Sequence, residues 1–330
     1  MDRIARPARY ILPIATAAAL VLSTAATATP PASTAGAAPA AAASATTGRL
    51  TTSDGVALAY DVAGSGAPAV FVHGGPGSGS HAFRLLSNGA LEKHFRVAWL
   101  DQRGSGASAS APTGDYSLDR QVADLEELRA GLGHERWTLV AYSFGGLIAQ
   151  AYAKAHPERV AGIVHVDSLL NLPASMKSSA AHGLGLLPAD KRPPVDPAMP
   201  LPQRYFMVLG TLGQAGLSDR LQYADEAAAA RAKAMLAANP APARNGEMAQ
   251  RIFAGDPGRY IEDMTAATAD VDVPVLVVTG DADHVTGPGH YRTFRYPKQT
   301  VAVLKGGHMA FYEDADGFAR ALAAFASRIR

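Results

Sequence analysis

Short continuous apolar runs alternate along the chain with stretches of helical spacing. The runs are Ala69-Val70-Phe71-Val72, Val97-Ala98-Trp99-Leu100, Trp137-Thr138-Leu139-Val140, Ile163-Val164-His165-Val166, Val275-Leu276-Val277-Val278 and Val301-Ala302-Val303-Leu304. Each reads as a strand buried on both faces, as a sheet covered by helices requires. Between them lie helical patterns. Ser117 can cap one helix, with Val122, Leu125 and Leu128 spaced for one buried face. Ala310 to Ile329 reads as a closing amphipathic helix. The alternation predicts an α/β fold with a mostly parallel sheet and helices on both faces.

The alternation lapses between Leu169 and Asp270. Prolines fall at 173, 188, 193, 194, 197, 200 and 202, followed by an alanine-rich helix around Ala227 to Ala238. The segment is too long for a loop in a compact domain. It predicts an inserted helical cap over 169–270, flanked by a core of 49–168 and 271–330.

The N-terminus follows another pattern. Arg3, Arg6 and Arg9 precede an apolar run from Tyr10 to Leu22, and Ala26-Thr27-Ala28 has the form of a signal-peptidase site. This three-part pattern predicts a secretory signal peptide over 1–28, cleaved near Ala28, and an extracellular or cell-envelope location. The run is shorter than the roughly 20 apolar residues of a spanning helix, so no stable membrane anchor is expected after cleavage. Residues 29–48, all Ala, Thr, Pro, Ser or Gly, have nothing large to bury and predict a low-complexity linker.

Composition narrows the function classes. Among 330 residues there are 30 Lys+Arg, 29 Asp+Glu and no cysteine. The net charge of +1 offers no attraction to nucleic acid. Removing Asp2, Arg3, Arg6 and Arg9 with the signal peptide brings it to about −1. Without cysteine there is no disulfide, thiol nucleophile or thiolate metal site. No His and carboxylate cluster has metal-ligand spacing, so neither a metal nor another cofactor is expected.

Three elements carry chemistry. In Leu139-Val140-Ala141-Tyr142-Ser143-Phe144-Gly145-Gly146 a strand runs into Ser143 and a helix follows. This approximates G-x-S-x-G, the strand-to-helix turn that exposes a serine hydroxyl, with Ala141 in place of the first glycine. A serine merely capping that helix is the bland alternative. His73-Gly74-Gly75-Pro76-Gly77 follows the Ala69–Val72 strand. Its glycine turn can aim a backbone N–H at an oxyanion, with the N–H of Phe144 as second donor. Downstream, the last two strands end in Gly280-Asp281-Ala282-Asp283 and Gly306-Gly307-His308. Open α/β sheets gather their sites at such strand ends.

With Asp101-Gln102-Arg103-Gly104-Ser105-Gly106, these motifs resemble the α/β-hydrolase superfamily from about Leu50 to Arg330, and within it the prolyl aminopeptidase (proline iminopeptidase) group. The resemblance implies an α/β-hydrolase fold with a helical cap after the sixth strand. It implies Ser143 as nucleophile, His308 as base, Asp283 as its acid, and Gly75 and Phe144 as oxyanion donors. Asp281 and Asp167 are alternative acids; the superfamily's G-x-x-D pattern, read from Gly280, points to Asp283. His165 reads as a core residue, His73 as support for the oxyanion loop and Arg103 as a loop anchor. Tyr205, Phe206, Tyr223 and Phe253 either line the cap's inner face or pack within it. Specificity for a free amine in that group depends on acidic cap residues, for which Glu226, Glu247 and Glu262 are candidates.

The function this implies is a secreted serine hydrolase, foremost an aminopeptidase acting on short peptides. A carboxylesterase or lactonase with the same triad is the alternative, and a non-catalytic binding protein on the same fold the third reading. The expected partner is a small-molecule or short-peptide substrate. Nothing in the sequence sets the oligomeric state.

Overall fold

The computed structural model describes residues 46–255 and 257–329. The signal segment 1–28 and residues 29–45 of the expected linker lie outside them. Eight strands form one sheet in the order β1-β2-β4-β3-β5-β6-β7-β8. They are β1 (Thr46–Thr51), β2 (Ala57–Ala63), β3 (Ala67–Val72), β4 (Phe95–Asp101), β5 (Trp137–Tyr142), β6 (Val160–Val166), β7 (Val275–Gly280) and β8 (Gln299–Leu304). The β1–β2 and β2–β4 pairs are antiparallel, and the pairs from β4 to β8 are parallel.

The six apolar runs fall in β3 to β8. Within them, period-two alternation separates two cores. Val70, Val72, Leu139, Ala141, Ile163, Val275 and Val277 face one side; Ala69, Phe71, Val140, Val164, Val166, Leu276 and Val278 face the other. The first side is covered by α2 (Leu118–Gly131) and α3 (Gly145–Ala155), following the short α1 (His81–Leu86) in the chain. Ser117 caps α2 by accepting the N–H of Arg120 at 3.3 Å, and Val122, Leu125 and Leu128 are buried.

Between β6 and β7 the chain is helical: α4 (Leu172–Leu186), α5 (Leu201–Gln214), α6 (Asp219–Gln222), α7 (Glu226–Ala238) and α8 (Glu247–Ala254). After β8 come α9 (Ala310–Glu313) and α10 (Ala315–Ala326). With α1, α9 and α10 cover the second side of the sheet through Phe83, Phe311 and Phe318.

Three expectations need correction. The Val301–Leu304 run is not buried on both faces: β8 is an edge strand, and Val301 and Val303 are exposed. The closing helix is not continuous. Asp314 leaves helical geometry and its carboxylate caps α10, accepting the N–H of Gly317 at 2.9 Å. The linker also ends earlier than Gly48, because Thr46 to Gly48 already pair with Tyr60 to Val62. Backbone pairing needs no large side chain, and Gly48 leaves room for the Tyr60 ring: a Cβ there would lie 2.4 Å from Tyr60 Cζ.

Candidate active site

Ser143 sits where β5 turns into α3, with a left-handed φ of +53°. A non-glycine residue there costs about 1–3 kcal/mol and persists only when its surroundings over-determine it. Here the Ser143 N–H donates to Val166 O at 3.1 Å, and Ser143 O accepts the N–H groups of Gly146 and Leu169. The glycines are required by close approach. A Cβ on Gly145 would lie 2.1 Å from Val72 O, and one on Gly146 2.7 Å from Ser168 Cβ. Ala141 escapes this constraint. It lies in the extended strand, paired with Val72 and His165, and its methyl is buried in the core.

His308 follows β8 and reaches back to the turn. Its Nε2 is 2.9 Å from Ser143 Oγ and its Nδ1 is 3.1 Å from Asp283 Oδ2. All three side chains are buried. The Tyr142 hydroxyl donates to His308 O at 3.2 Å, and Phe311, just beyond, stacks on Phe83 with ring centroids 4.1 Å apart. Asp283 is bound at both oxygens. Oδ1 accepts the N–H groups of Val285 (2.9 Å) and Thr286 (3.1 Å), and Oδ2 accepts the Thr286 hydroxyl at 2.6 Å. Burial pushes its carboxyl up, but the His308 charge and the hydrogen bonds from His308 and Thr286 outweigh it. The group is held below its ordinary range. Asp281 instead accepts the N–H of Gly306 at 3.1 Å.

The glycine turn after β3 lies against the serine: a Cβ on Gly74 would come within 2.7 Å of Ser143 Cβ. Gly75 has a φ of +116°. Among the described residues neither the Gly75 N–H nor the Phe144 N–H has an intramolecular acceptor. Two free donors thus accompany a hydroxyl within hydrogen-bond reach of an imidazole that is oriented by a carboxylate.

The residues of the second motif hold loops. Asp101 accepts the N–H and hydroxyl of Ser80 and the N–H of Ala107. Gln102 binds His73 twice, its N–H donating to His73 Nε2 at 3.1 Å and its amide nitrogen to His73 O at 2.9 Å. His73 Nδ1 lies 2.9 Å from Gly74 O, so the ring braces the turn after β3, and burial lowers its pKa. Arg103, fully buried, uses every guanidinium N–H on Asp124, Asp54 and the Asp115 carbonyl. His165 is a core residue, its Nε2 2.8 Å from the Tyr296 hydroxyl. Tyr205, Phe206 and Phe253 pack on one another within the insertion, and Tyr223 joins the α1, α9 and α10 core.

The helical insertion is tied to the loop of Asp283, the loop of His308 and the loop after β4. On α4, Ser175, Ser178, Ser179 and His182 lie at i, i+3, i+4 and i+7, one helix face. Ser175 donates to Thr286 O (3.2 Å), Ser178 to His284 O (3.2 Å) and Ser179 to Val285 O (2.9 Å); His182 stacks on His284 at 3.7 Å. Glu313 ties the histidine loop to the segment before α7, accepting the N–H groups of Ala224, Asp225 and Gly307. On the oxyanion side, Met248 of α8 donates its N–H to Gly104 O, and Asn245 just before α8 donates to Gly106 O.

The glutamates considered for amine recognition are engaged elsewhere. Glu226 pairs with Arg220, Glu247 with Arg251 and Glu262 with Arg259. Sequence reasoning missed Glu313 and the serine face of α4. A polar stripe at helical spacing was available for the serines, whereas Glu313 belongs to no motif.

The model of the alpha/beta hydrolase fold family matches residues 68–315. A probable proline iminopeptidase of Streptomyces coelicolor is 40% identical over 126 residues, covering 36% of this chain and 38% of the relative. The proline iminopeptidase of Neisseria meningitidis serogroup A is 38% identical over 122 residues, with the same coverage. The match thus spans under two fifths of these relatives' length. Among solved structures, a proline iminopeptidase-related protein of Thermus thermophilus superposes with a TM-score of 0.71 at 24% identity, covering 86% of this chain and 99% of that one. A hydrolase of Pseudomonas aeruginosa superposes at 0.60 and 26% identity, covering 84% and 97%. With the sheet order, the serine turn and a family match over most of its length, this chain belongs to the alpha/beta hydrolase fold family.

Proposed function

We propose that this chain is a serine hydrolase that cleaves an amide or ester bond through an acyl-enzyme. The observation that carries this reading is the hydrogen-bonded series Ser143–His308–Asp283 beside two unengaged N–H groups. His308 takes the proton of Ser143 as the oxygen attacks a carbonyl carbon. The N–H groups of Gly75 and Phe144 bind the oxyanion, a contribution of about 3–4 kcal/mol per donor. His308 then protonates the leaving group, and water reverses the sequence. Asp283 orients the imidazole and stabilises its charged form.

The substrate proposed first is a short peptide with a free N-terminus, proline among the residues removed. It is supported by the H-G-G-P-G and D-Q-R-G-S-G pair and by the proline iminopeptidase relatives. One observation favours a second reading, an esterase or lactonase: Glu226, Glu247 and Glu262 are each paired with arginine. A panel of aminoacyl anilides, prolyl anilide included, set against simple esters separates the two. Turnover of anilides supports the peptidase; rapid ester turnover with none of the anilides rejects it. The N-terminal pattern adds the proposal of export, tested by N-terminal sequencing of protein recovered outside the cytoplasm. Among the described residues no helix is long and apolar enough to cross a membrane.

A further inference from the structure

A second carboxyl group lies behind the triad. Asp167 is the first residue after β6, beside the end of β7, and is 1% exposed. It has a left-handed φ of +44°, which for a non-glycine residue implies a position fixed by its contacts. Those contacts are with the strand that carries Asp283. The Asp167 N–H donates to Val278 O at 2.8 Å, and Asp167 Oδ1 accepts the N–H of Gly280 at 2.8 Å. The other oxygen, Oδ2, is buried and receives no hydrogen bond from any described donor. Asp167 and Asp283 meet at the same residue: Gly280 donates its N–H to Asp167 Oδ1, and its carbonyl accepts the N–H of Asp283 at 3.4 Å.

We propose that Asp167 keeps its proton and donates it as a hydrogen bond to Asp283, which makes it a positioning residue of the triad. The inference rests on Asp283 serving as the acid of the Ser143–His308 pair. Two carboxyl groups buried on either side of one residue do not both ionise. Asp283 has His308 and three donors from Val285 and Thr286 to hold its charge. Asp167 has one amide donor, Asp283 and Glu313 act on it with like charge, and the buried Tyr142 lies near it. Burial and the Asp283 charge accordingly push the Asp167 carboxyl well above the carboxylate range. A protonated carboxyl supplies the missing donor, and its Oδ2 is no longer unsatisfied. The neutral O–H steadies the Asp283 carboxylate without placing a second negative charge behind His308.

The test is the pH dependence of Ser143 labelling by a fluorophosphonate, for the wild type, Asp167→Asn and Asp167→Ala. Asparagine keeps both contacts, its amide nitrogen donating to Asp283 and its oxygen accepting from Gly280. It is expected to label within about threefold of the wild type, with the same acid limb, whereas alanine slows labelling about tenfold or more. An acid limb moved down by about one unit or more in Asp167→Asn would show that Asp167 carries a charge, and overturns the proposal. Alanine equal to the wild type overturns it as well. Infrared spectra of protein carrying carbon-13 aspartate at neutral pH decide independently of labelling and of the alanine variant's folding. A protonated-carboxyl band that disappears in Asp167→Asn is expected, and its absence from the wild type refutes the proposal. A wild type that shows the band but is not labelled at Ser143 would count against the serine mechanism alone.

Discussion

The loops around Ser143 are held from two sides by different chemistry. Behind the oxyanion loop, the core uses buried charge: Arg103, with no exposed surface, is clamped between Asp124 and Asp54, and Arg120 shares Asp124. On the other side, the insertion is tied by hydroxyl-to-carbonyl hydrogen bonds from α4 and by backbone N–H groups that donate to the carboxylate of Glu313 on α9. A buried ion pair is all-or-none, because removing one partner strands the other charge. Hydrogen bonds between neutral groups contribute about 1 kcal/mol each, those to a carboxylate somewhat more, and they can be lost one at a time. The framework behind the site is therefore rigid, while the grip of the insertion can be adjusted in small steps.

The most direct way to break this contrast is Arg103→Met. It leaves Asp124 buried without its main partner, and a loss of about 3–5 kcal/mol in urea unfolding is expected. A loss below about 1 kcal/mol would mean that the charged framework is no stiffer than the insertion. Glu313→Gln comes next. The amide keeps one accepting oxygen for contacts now shared by two, so the histidine loop loses a tie. Fluorophosphonate labelling is expected to slow about tenfold, with about 1–2 kcal/mol lost in stability. Labelling at the wild-type rate would remove Glu313 from the account.

Ser179→Ala sharpens the comparison at its weaker end. It removes one of three hydroxyl ties to the acid loop, for about 1 kcal/mol or less and a few-fold slower labelling. A tenfold or larger loss would show that the α4 ladder acts as a unit. Acid titration probes the ion pairs of α2 alone. Hydrogen bonds from Arg129, against a smaller opposing effect of burial, lower Glu126 from 4.5 to about 2, with Tyr152 adding another. Its contribution to stability is complete above the unfolded pKa of about 4.5 and is lost as pH falls through about 2. The α4 hydroxyls do not titrate. Urea midpoints of the wild type should fall over that window while Glu126→Gln starts lower and falls less; parallel curves would contradict the assignment.

The parallel strands β3 to β7 were legible because each is largely buried on both faces and so is written as an apolar run; β8 carries such a run although it is an edge strand with Val301 and Val303 exposed. β1 and β2 were not marked by such runs. β1 is an edge strand with exposed and half-buried positions, and β2 pairs Ala and Val with Tyr60 and Asp61. The serine turn was legible despite Ala141, because close approach constrains Gly145 and Gly146 rather than the strand position before them. Asp283 and His308 could be read from strand ends and spacing. The contacts of the insertion could not, because Glu313 meets Ala224 and Asp225 across about 90 residues of sequence. The partnership of Asp167 with Asp283 was hidden in the same way: each aspartate looks like a candidate acid alone, and only the pairing of β6 with β7 brings them together.

The central claim is that His308, oriented by Asp283, activates Ser143. Mass spectrometry of the folded protein after exposure to a fluorophosphonate tests it most directly. One adduct per chain, mapped to Ser143 and lost in both Ser143→Ala and His308→Ala, is the expected result. An unlabelled Ser143 in folded wild type, or undiminished labelling in His308→Ala, would contradict it.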